Sequence, residues 1–201
     1  NIVKKSGTSF YWGMKLLPKD KRRAMFSVYA FCRKIDDIAD DLNSTKNKKL
    51  KELKKWKKNL DLIYQNKIAN DPICREISLS ALKFKLEKKH LVALIEGMEM
   101  DIHKNIQFPS KKILMLYCDK VAVSVGYLSI KIFGLNNQSS KNYAHYLGRA
   151  FQLTNIVRDF NEDLERQRCY LNSENFTKFK IKKKISNLEN EPKLQFIFQE
   201  I

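Results

Sequence analysis

Two stretches of the sequence, YAFCRKIDDIADD (29–41) and GRAFQLTNIVRDFNEDLERQRCYL (148–171), carry aspartates four positions apart. On a helix, at about 100° per residue, Tyr29, Arg33, Asp36 and Asp40 fall within about 60° of one another, and Gln152, Asn155, Asp159 and Asp163 within about 80°. Like charges at that spacing cost a helix about 0.2–0.5 kcal/mol, so each stripe calls for a neutralising partner. For either stripe alone, a solvated face with lysines nearby would suffice. Facing each other across a bundle, the two would form a rim of four carboxylates, with Arg33 and Arg158 at its edge, that a hard divalent cation would relieve. Magnesium suits such a rim, with manganese as a substitute, because it keeps several waters and shares its shell with substrate phosphates. Held there it would bind a diphosphate and neutralise the charge that develops as this group leaves, which makes ionisation of an allylic diphosphate feasible. The carbocation left behind must be kept from water. Phe10, Tyr11, Phe26, Tyr29, Phe31, Tyr117, Tyr127 and Phe151 are the candidate rings for an apolar interior, although most rings in a helical protein are ordinary core.

The elements that must position these residues read as helices. Six glycines and four prolines punctuate 201 residues that are 43% hydrophobic, which predicts one all-α domain over residues 1–201. Helices are predicted over 19–41, 45–66, 73–88, 89–104, 110–134, 139–165 and 191–201, and 166–190 reads as irregular. The apolar run VAVSVGYLSI (121–130) is too short to span a bilayer and reads as a buried core helix. Its Ala122, Ser124 and Gly126 would admit another helix or a ligand at close range. The widely spaced Cys32, Cys74, Cys118 and Cys169 show no metal-ligand spacing and are expected to be buried, reduced thiols of a cytoplasmic protein. No signal peptide opens the chain, and a first residue of Asn rather than Met leads us to expect a missing N-terminal piece.

The net charge of +17 comes mostly from lysine, with runs at KNKKLKELKKWKK (46–58) and KFKIKKK (178–184). Such runs read first as solvated helix faces and second as an attraction to something anionic. Without zinc-finger spacing, an RNP-like strand or a helix-turn-helix, no nucleic-acid partner is expected. The attraction would instead hold the protein peripherally at an anionic membrane, on its cytoplasmic face.

The motifs SGTSFYWGMKLLP, YAFCRKIDDIADD, YCDKVAVSVG and QLTNIVRDFNEDLERQRCYL resemble those of the squalene/phytoene synthase family, from about Ser6 to Tyr170. LIEGMEMDI (94–102) and the longer forms of the last two motifs are most similar to bacterial presqualene diphosphate synthases of the hopanoid route. The resemblance implies an isoprenoid synthase fold around a central cavity, and a Mg-dependent, head-to-head condensation of two farnesyl diphosphates to presqualene diphosphate. It implies Asp36, Asp40, Asp159 and Asp163 as catalytic metal ligands together with Asn155, and Gln152 beside them. Arg33, Arg158, Arg168, Ser6, Ser9 and Tyr170 would contact diphosphate, and Tyr117 would sit near the reacting carbons. Phe10, Tyr29, Val121, Ala122, Val125, Gly126 and Gly148 would line the substrate cavity, the two glycines leaving room for an isoprenoid tail. Asn172 departs from the proline that commonly follows YL in this family. Family members also continue past residue 201, so closing C-terminal helices are expected to be missing. Phytoene synthase, a complete squalene synthase and a non-catalytic assembly factor stay open as alternatives. The absence of GxGxxG leads us to expect no NADPH site, and downstream squalene-forming enzymes are the expected functional partners.

Overall fold

In a computed structural model, which describes residues 2–5, 8, 10–104 and 106–201, the chain folds into helices and connecting turns. They are α1 (Ile2–Lys5), α2 (Phe10–Lys15), α3 (Lys19–Asp40), α4 (Lys46–Tyr64), α5 (Pro72–Phe84), α6 (Lys88–Lys104), α7 (Lys111–Cys118), α8 (Ser124–Phe133), α9 (Gln138–Arg158), α10 (Phe160–Glu165), α11 (Ser173–Lys178) and α12 (Leu194–Phe198). A π-helical turn, Asp119–Val123, joins α7 to α8 into one continuous rod. No β-strand forms among the described residues, and an isolated parallel bridge links Gln107 to Cys169.

The boundaries follow from local chemistry. Asp71 accepts hydrogen bonds from the amides of Ile73 and Cys74 while Pro72 takes the first helical position, where its missing N–H costs nothing. Ser110, Asn137 and Asn172 cap α7, α9 and α11 in the same way. At the other end of α8, Gly134 adopts φ +82°, a left-handed turn that a side chain would strain. The bundle is built around α3, which packs on α5, α6 and α8, while α9 packs on α8 and the π turn. Phe31, Ile35, Leu53, Leu60, Leu91, Ile95 and Leu128 are fully buried between these helices.

The seven predicted helical segments are present, with three differences. Short helices α1 and α2 precede Lys19, where none was predicted. The stretch 139–165 is divided at Asp159, whose φ of −95° and ψ of 12° lie outside the helical range. Finally, 166–190 is ordered around buried Cys169, Tyr170, Leu171, Phe176, Ile181 and Leu188. Beyond the run CYL (169–171) its apolar residues sit singly among polar ones, so no helical or strand period was visible. Asn172, the departure from proline, supplies the cap of α11 by accepting from the amide of Asn175 at 3.0 Å.

The rod Lys111–Phe133 is 23 residues long with a mean hydropathy of 1.5, sufficient by length and composition to cross a membrane. It packs against α6 and α9 and pairs Asp119 with Arg149 in a two-pronged ion pair at 2.7 Å, so it reads as a bundle helix. The four cysteines are free: Cys74, Cys118 and Cys169 are buried and Cys32 partly so.

Candidate active site

A cleft of about 570 Å³ opens where the C-terminal half of α3 meets the end of α9 and Glu162 and Asp163 of α10. Its polar wall contains Arg33, Asp36, Asp40, Gln152, Asn155, Arg158, Asp159, Glu162, Asp163, Arg166 and Arg168. Its apolar floor contains Ile35, Leu94, Met98, Val121 and Ile156, with Phe10, Tyr29, Tyr117 and Tyr170. The two aspartate stripes therefore do face each other across one cavity. Although Asp159 interrupts the helix, its amide still donates to the Asn155 carbonyl at 2.8 Å, and the Asp163 amide donates to the Asp159 carbonyl at 2.9 Å. That chain of bonds keeps Asn155, Asp159 and Asp163 on one side.

Arginines answer the repulsion built into the stripes. Arg33 reaches Asp36 at 3.3 Å and Asp37 at 3.0 Å, and Arg158 grips both oxygens of Asp159 at 2.6 Å. Asp40 is held from across the cleft, by Arg168 at 2.7 Å and Arg166 at 3.0 Å. Burial, with help from Asp40, pushes the Asp36 carboxyl up to about 6, and burial with Asp159 does the same for Asp163. Burial works against the Arg168 charge, but Tyr170, Asp101 and Asp40 more than offset it and hold this guanidinium above its ordinary range. Burial beside Asp36 pushes the Cys32 thiol up to about 12, so it stays protonated and is no nucleophile.

Whether these carboxylates suit a metal can be judged from the donor set. Among the described residues no three acidic, histidine or cysteine side chains converge closely enough to hold an ion by themselves. Two desolvated carboxyls whose charge is disfavoured, each influenced by a second aspartate, in a cleft that Gln152 and Asn155 also line, nevertheless fit a hard cation whose remaining ligands come from phosphate and water. Such a set would supply part of a coordination shell and leave the rest to a ligand.

The floor holds a residue that the sequence reading missed. Asp101 of α6 is 3% exposed; it accepts a hydrogen bond from the Tyr117 hydroxyl at 3.0 Å and another from the Tyr170 hydroxyl at 2.8 Å. The two rings stack, with centroids 5.1 Å apart. Burial pushes the Asp101 carboxyl up to about 7, against the pull of Arg168 and the two hydroxyls. Arg168 and Tyr170 both reach the cleft because 168–170 is extended: the Cys169 amide donates to the Ile106 carbonyl at 2.8 Å, and the Phe108 amide to the Cys169 carbonyl at 2.9 Å, so alternate side chains face the site. Arg166 was also missed. It ends α10, where it also pairs at 2.6 Å with Glu162 four residues before it, so its spacing reads as an ordinary helix-surface pair.

Several predicted wall residues lie elsewhere. Gly126 and Gly148 make a helix seam: a Cβ on Gly148 would come 2.9 Å from the Val123 Cα, and one on Gly126 3.0 Å from the Ala144 carbonyl oxygen. Their missing side chains let α9 approach the rod and leave no room for a tail. Ala122 and Val125 are partly buried in that same rod, outside the cleft lining, whereas Val121 lines the cleft. Of the candidate rings, Phe31 is buried against Trp56, Tyr127 lies beside His90, and Tyr11 stacks on Phe26. Phe151 touches the cleft only through Phe10, edge to face at 6.3 Å. Ser6 and Ser9 lie outside the described residues.

An all-helical bundle with an acidic, arginine-rich cleft above an apolar floor is the architecture of an isoprenoid synthase. The structure superposes on a dehydrosqualene synthase in complex with ligand, with a TM-score of 0.84 and 29% identity, covering 99% of this chain and 69% of that one. It shares the fold of squalene synthase HpnC from Alicyclobacillus acidocaldarius, with a TM-score of 0.80 at 23% identity, over 98% and 70% of the two chains. The Squalene/phytoene synthase family model matches residues 3–200, and the chain belongs to that family. Among its relatives, presqualene diphosphate synthase of Zymomonas mobilis is 39% identical over 96% of this chain and 66% of its own length. The enzyme of that name from Rhodopseudomonas palustris is 44% identical over 84% and 59%. Phytoene synthase of Mycobacterium tuberculosis is 36% identical over 85% and 55%. The chain spans about three fifths of the length of these relatives.

Proposed function

We propose that the protein joins two farnesyl diphosphates head to head into presqualene diphosphate, releasing one diphosphate. The division of the cleft carries the reading: four arginines and two aspartate pairs form its rim, and an apolar floor lies below. That division fits a substrate with an anionic head and a hydrocarbon tail, and the relatives named for presqualene diphosphate favour the farnesyl pair over the longer substrates of phytoene synthases. Members of the family generally use a divalent metal. Asp36, Asp40, Asn155, Asp159 and Asp163 would hold magnesium, which when bound neutralises the diphosphate as it leaves.

The chain's own groups do the rest. Arg33, Arg158, Arg166 and Arg168 bind diphosphate oxygens and orient the scissile C–O bond over the floor. That bond breaks with its electron pair on the departing diphosphate, the double bond of the second substrate attacks the freed carbon, and loss of a proton closes the cyclopropane. Asp101 fixes both tyrosine hydroxyls as donors to itself, which turns their oxygen lone pairs toward the developing cation. Leu94, Met98, Val121 and Ile156 exclude the water that would otherwise trap it.

The test is to incubate the full-length gene product with farnesyl diphosphate and magnesium and identify the product by mass spectrometry. Presqualene diphosphate is expected, with NADPH changing neither its rate nor its identity, since reduction would need a hydride donor bound over the cation. Asp40→Asn and Asp163→Asn are expected to lower turnover by about a hundredfold or more with helical content unchanged. Squalene accumulating with NADPH, or consumption of geranylgeranyl diphosphate alone, would overturn the assignment.

A further inference from the structure

Along the floor of the cleft, α6 and the rod run side by side, and side chains pin them together at two points. The Tyr117 hydroxyl donates to Asp101 at 3.0 Å, and about one turn farther along, roughly 6 Å, the Lys120 ammonium pairs with Glu96. Asp101 is close enough to Arg168 and Asp40 for their charges to act on it, which marks its end of the seam as the one beneath the rim. A tail anchored by its diphosphate at the rim and laid along this seam passes Asp101 and Tyr117 first and Val121 next.

Leu94, Gly97, Met98 and Asp101 share one face of α6. Three of them line the cleft, and Gly97 does not. Val121, the middle residue of the π turn, covers it: a Cβ built on Gly97 would overlap the Val121 Cγ1 methyl carbon and lie 3.3 Å from the Lys120 Cβ. Val121 also lines the cleft, so its side chain stands between the glycine and whatever occupies the floor. With the two backbones pinned on either side of this contact, a side chain at position 97 is accommodated by Val121 swinging toward the cavity. The arginines and aspartates of the rim lie outside that movement.

We propose that Gly97 is a specificity-determining residue: by leaving a recess in α6 for Val121, it opens the floor to prenyl tails long enough to pass that point. The inference rests on the reading of the cleft as a prenyl diphosphate site, and it is tested by binding, so that the identity of the product does not enter. Dissociation constants are measured on the full-length gene product with magnesium, for inorganic diphosphate and for the unreactive S-thiolodiphosphate analogues of the farnesyl and geranylgeranyl chains. In Gly97→Ala both tailed analogues are expected to weaken about tenfold, while inorganic diphosphate stays within about twofold. Adding Val121→Ala to Gly97→Ala removes the displaced methyl groups and should bring farnesyl binding back to within about threefold of the parent, a rescue that a general loosening of the bundle would not give. Val121→Ala alone, which only removes atoms, is expected to raise the affinity for the geranylgeranyl analogue relative to the farnesyl one about fivefold, and it decides the matter if Gly97→Ala fails to fold. Parental binding by Gly97→Ala, equal weakening of inorganic diphosphate and the tailed analogues, or a double variant no better than Gly97→Ala would each overturn the proposal. A parent that binds the tailed analogues and responds in this way, yet forms no presqualene diphosphate, would remove the proposed reaction and leave the role of Gly97 standing.

Discussion

Asp101 shows what a single residue can hide. In LIEGMEMDI it is one acid among three, with no partner at helical spacing. Its importance arises only from folding, which brings Tyr117 and Tyr170 onto its two oxygens from 16 and 69 positions away. The paired aspartates were legible because their partners lie four residues off along the chain; the arginine pair on Asp40 was only half legible, since Arg166 also pairs with Glu162 four residues before it and reads as an ordinary helix-surface ion pair. Asp101 also gives the protein a pH dependence. The unfolded chain releases this proton near the ordinary aspartate value, the folded chain near 7. Between those values the native state binds more protons, so stability falls as pH rises through the window and levels off above it. Between pH 5 and pH 8 this amounts to about 3 kcal/mol, and melting temperature is therefore expected to drop by about 5–10 °C. In Asp101→Asn the drop should shrink, and an unchanged profile would show that another group sets it.

At the scale of elements, the π turn Asp119–Val123 is the part that composition could not announce. The apolar run around it reads as one uniform helix, and the sequence alone left open whether its small residues admit a helix or a ligand. Two neighbours decide the matter. Gly148 of α9 fits against the backbone of Val123, and Gly97 of α6 fits against the Val121 side chain, where a Cβ would lie 2.4 Å from a methyl carbon. The two glycines are thus expected to respond differently. Gly148→Ala meets backbone that cannot turn aside and should cost about 1–3 kcal/mol as overpacking, less about 1 kcal/mol regained in helix propensity. Gly97→Ala meets a side chain that can rotate, so its effect should fall on Val121 in the cleft floor, lowering turnover more than melting temperature. Thermal melts and steady-state rates on the pair would separate the two, and equal losses in both measurements would remove the distinction.

For the molecule as a whole, the helical class and the location of the acidic cleft could be read from periodicity and spacing, whereas the ordered path of 166–190 could not. That segment owes its form to single apolar residues seated in a core made by distant helices. The same segment carries the clamp of Arg166 and Arg168 on Asp40, contacts that span 126 and 128 positions. Closing so long a loop brings no return until both ends are already arranged, so the clamp belongs to the last stage of folding. Asp40→Ala should then speed unfolding and leave the refolding rate nearly unchanged, as measured by stopped-flow denaturant jumps; a slowed refolding limb would put the clamp in the nucleus instead. A nascent chain would accordingly collapse around α3 to α6 well before it possesses a catalytic rim, and a protease or chaperone would meet it as a folded bundle with its chemistry still unassembled.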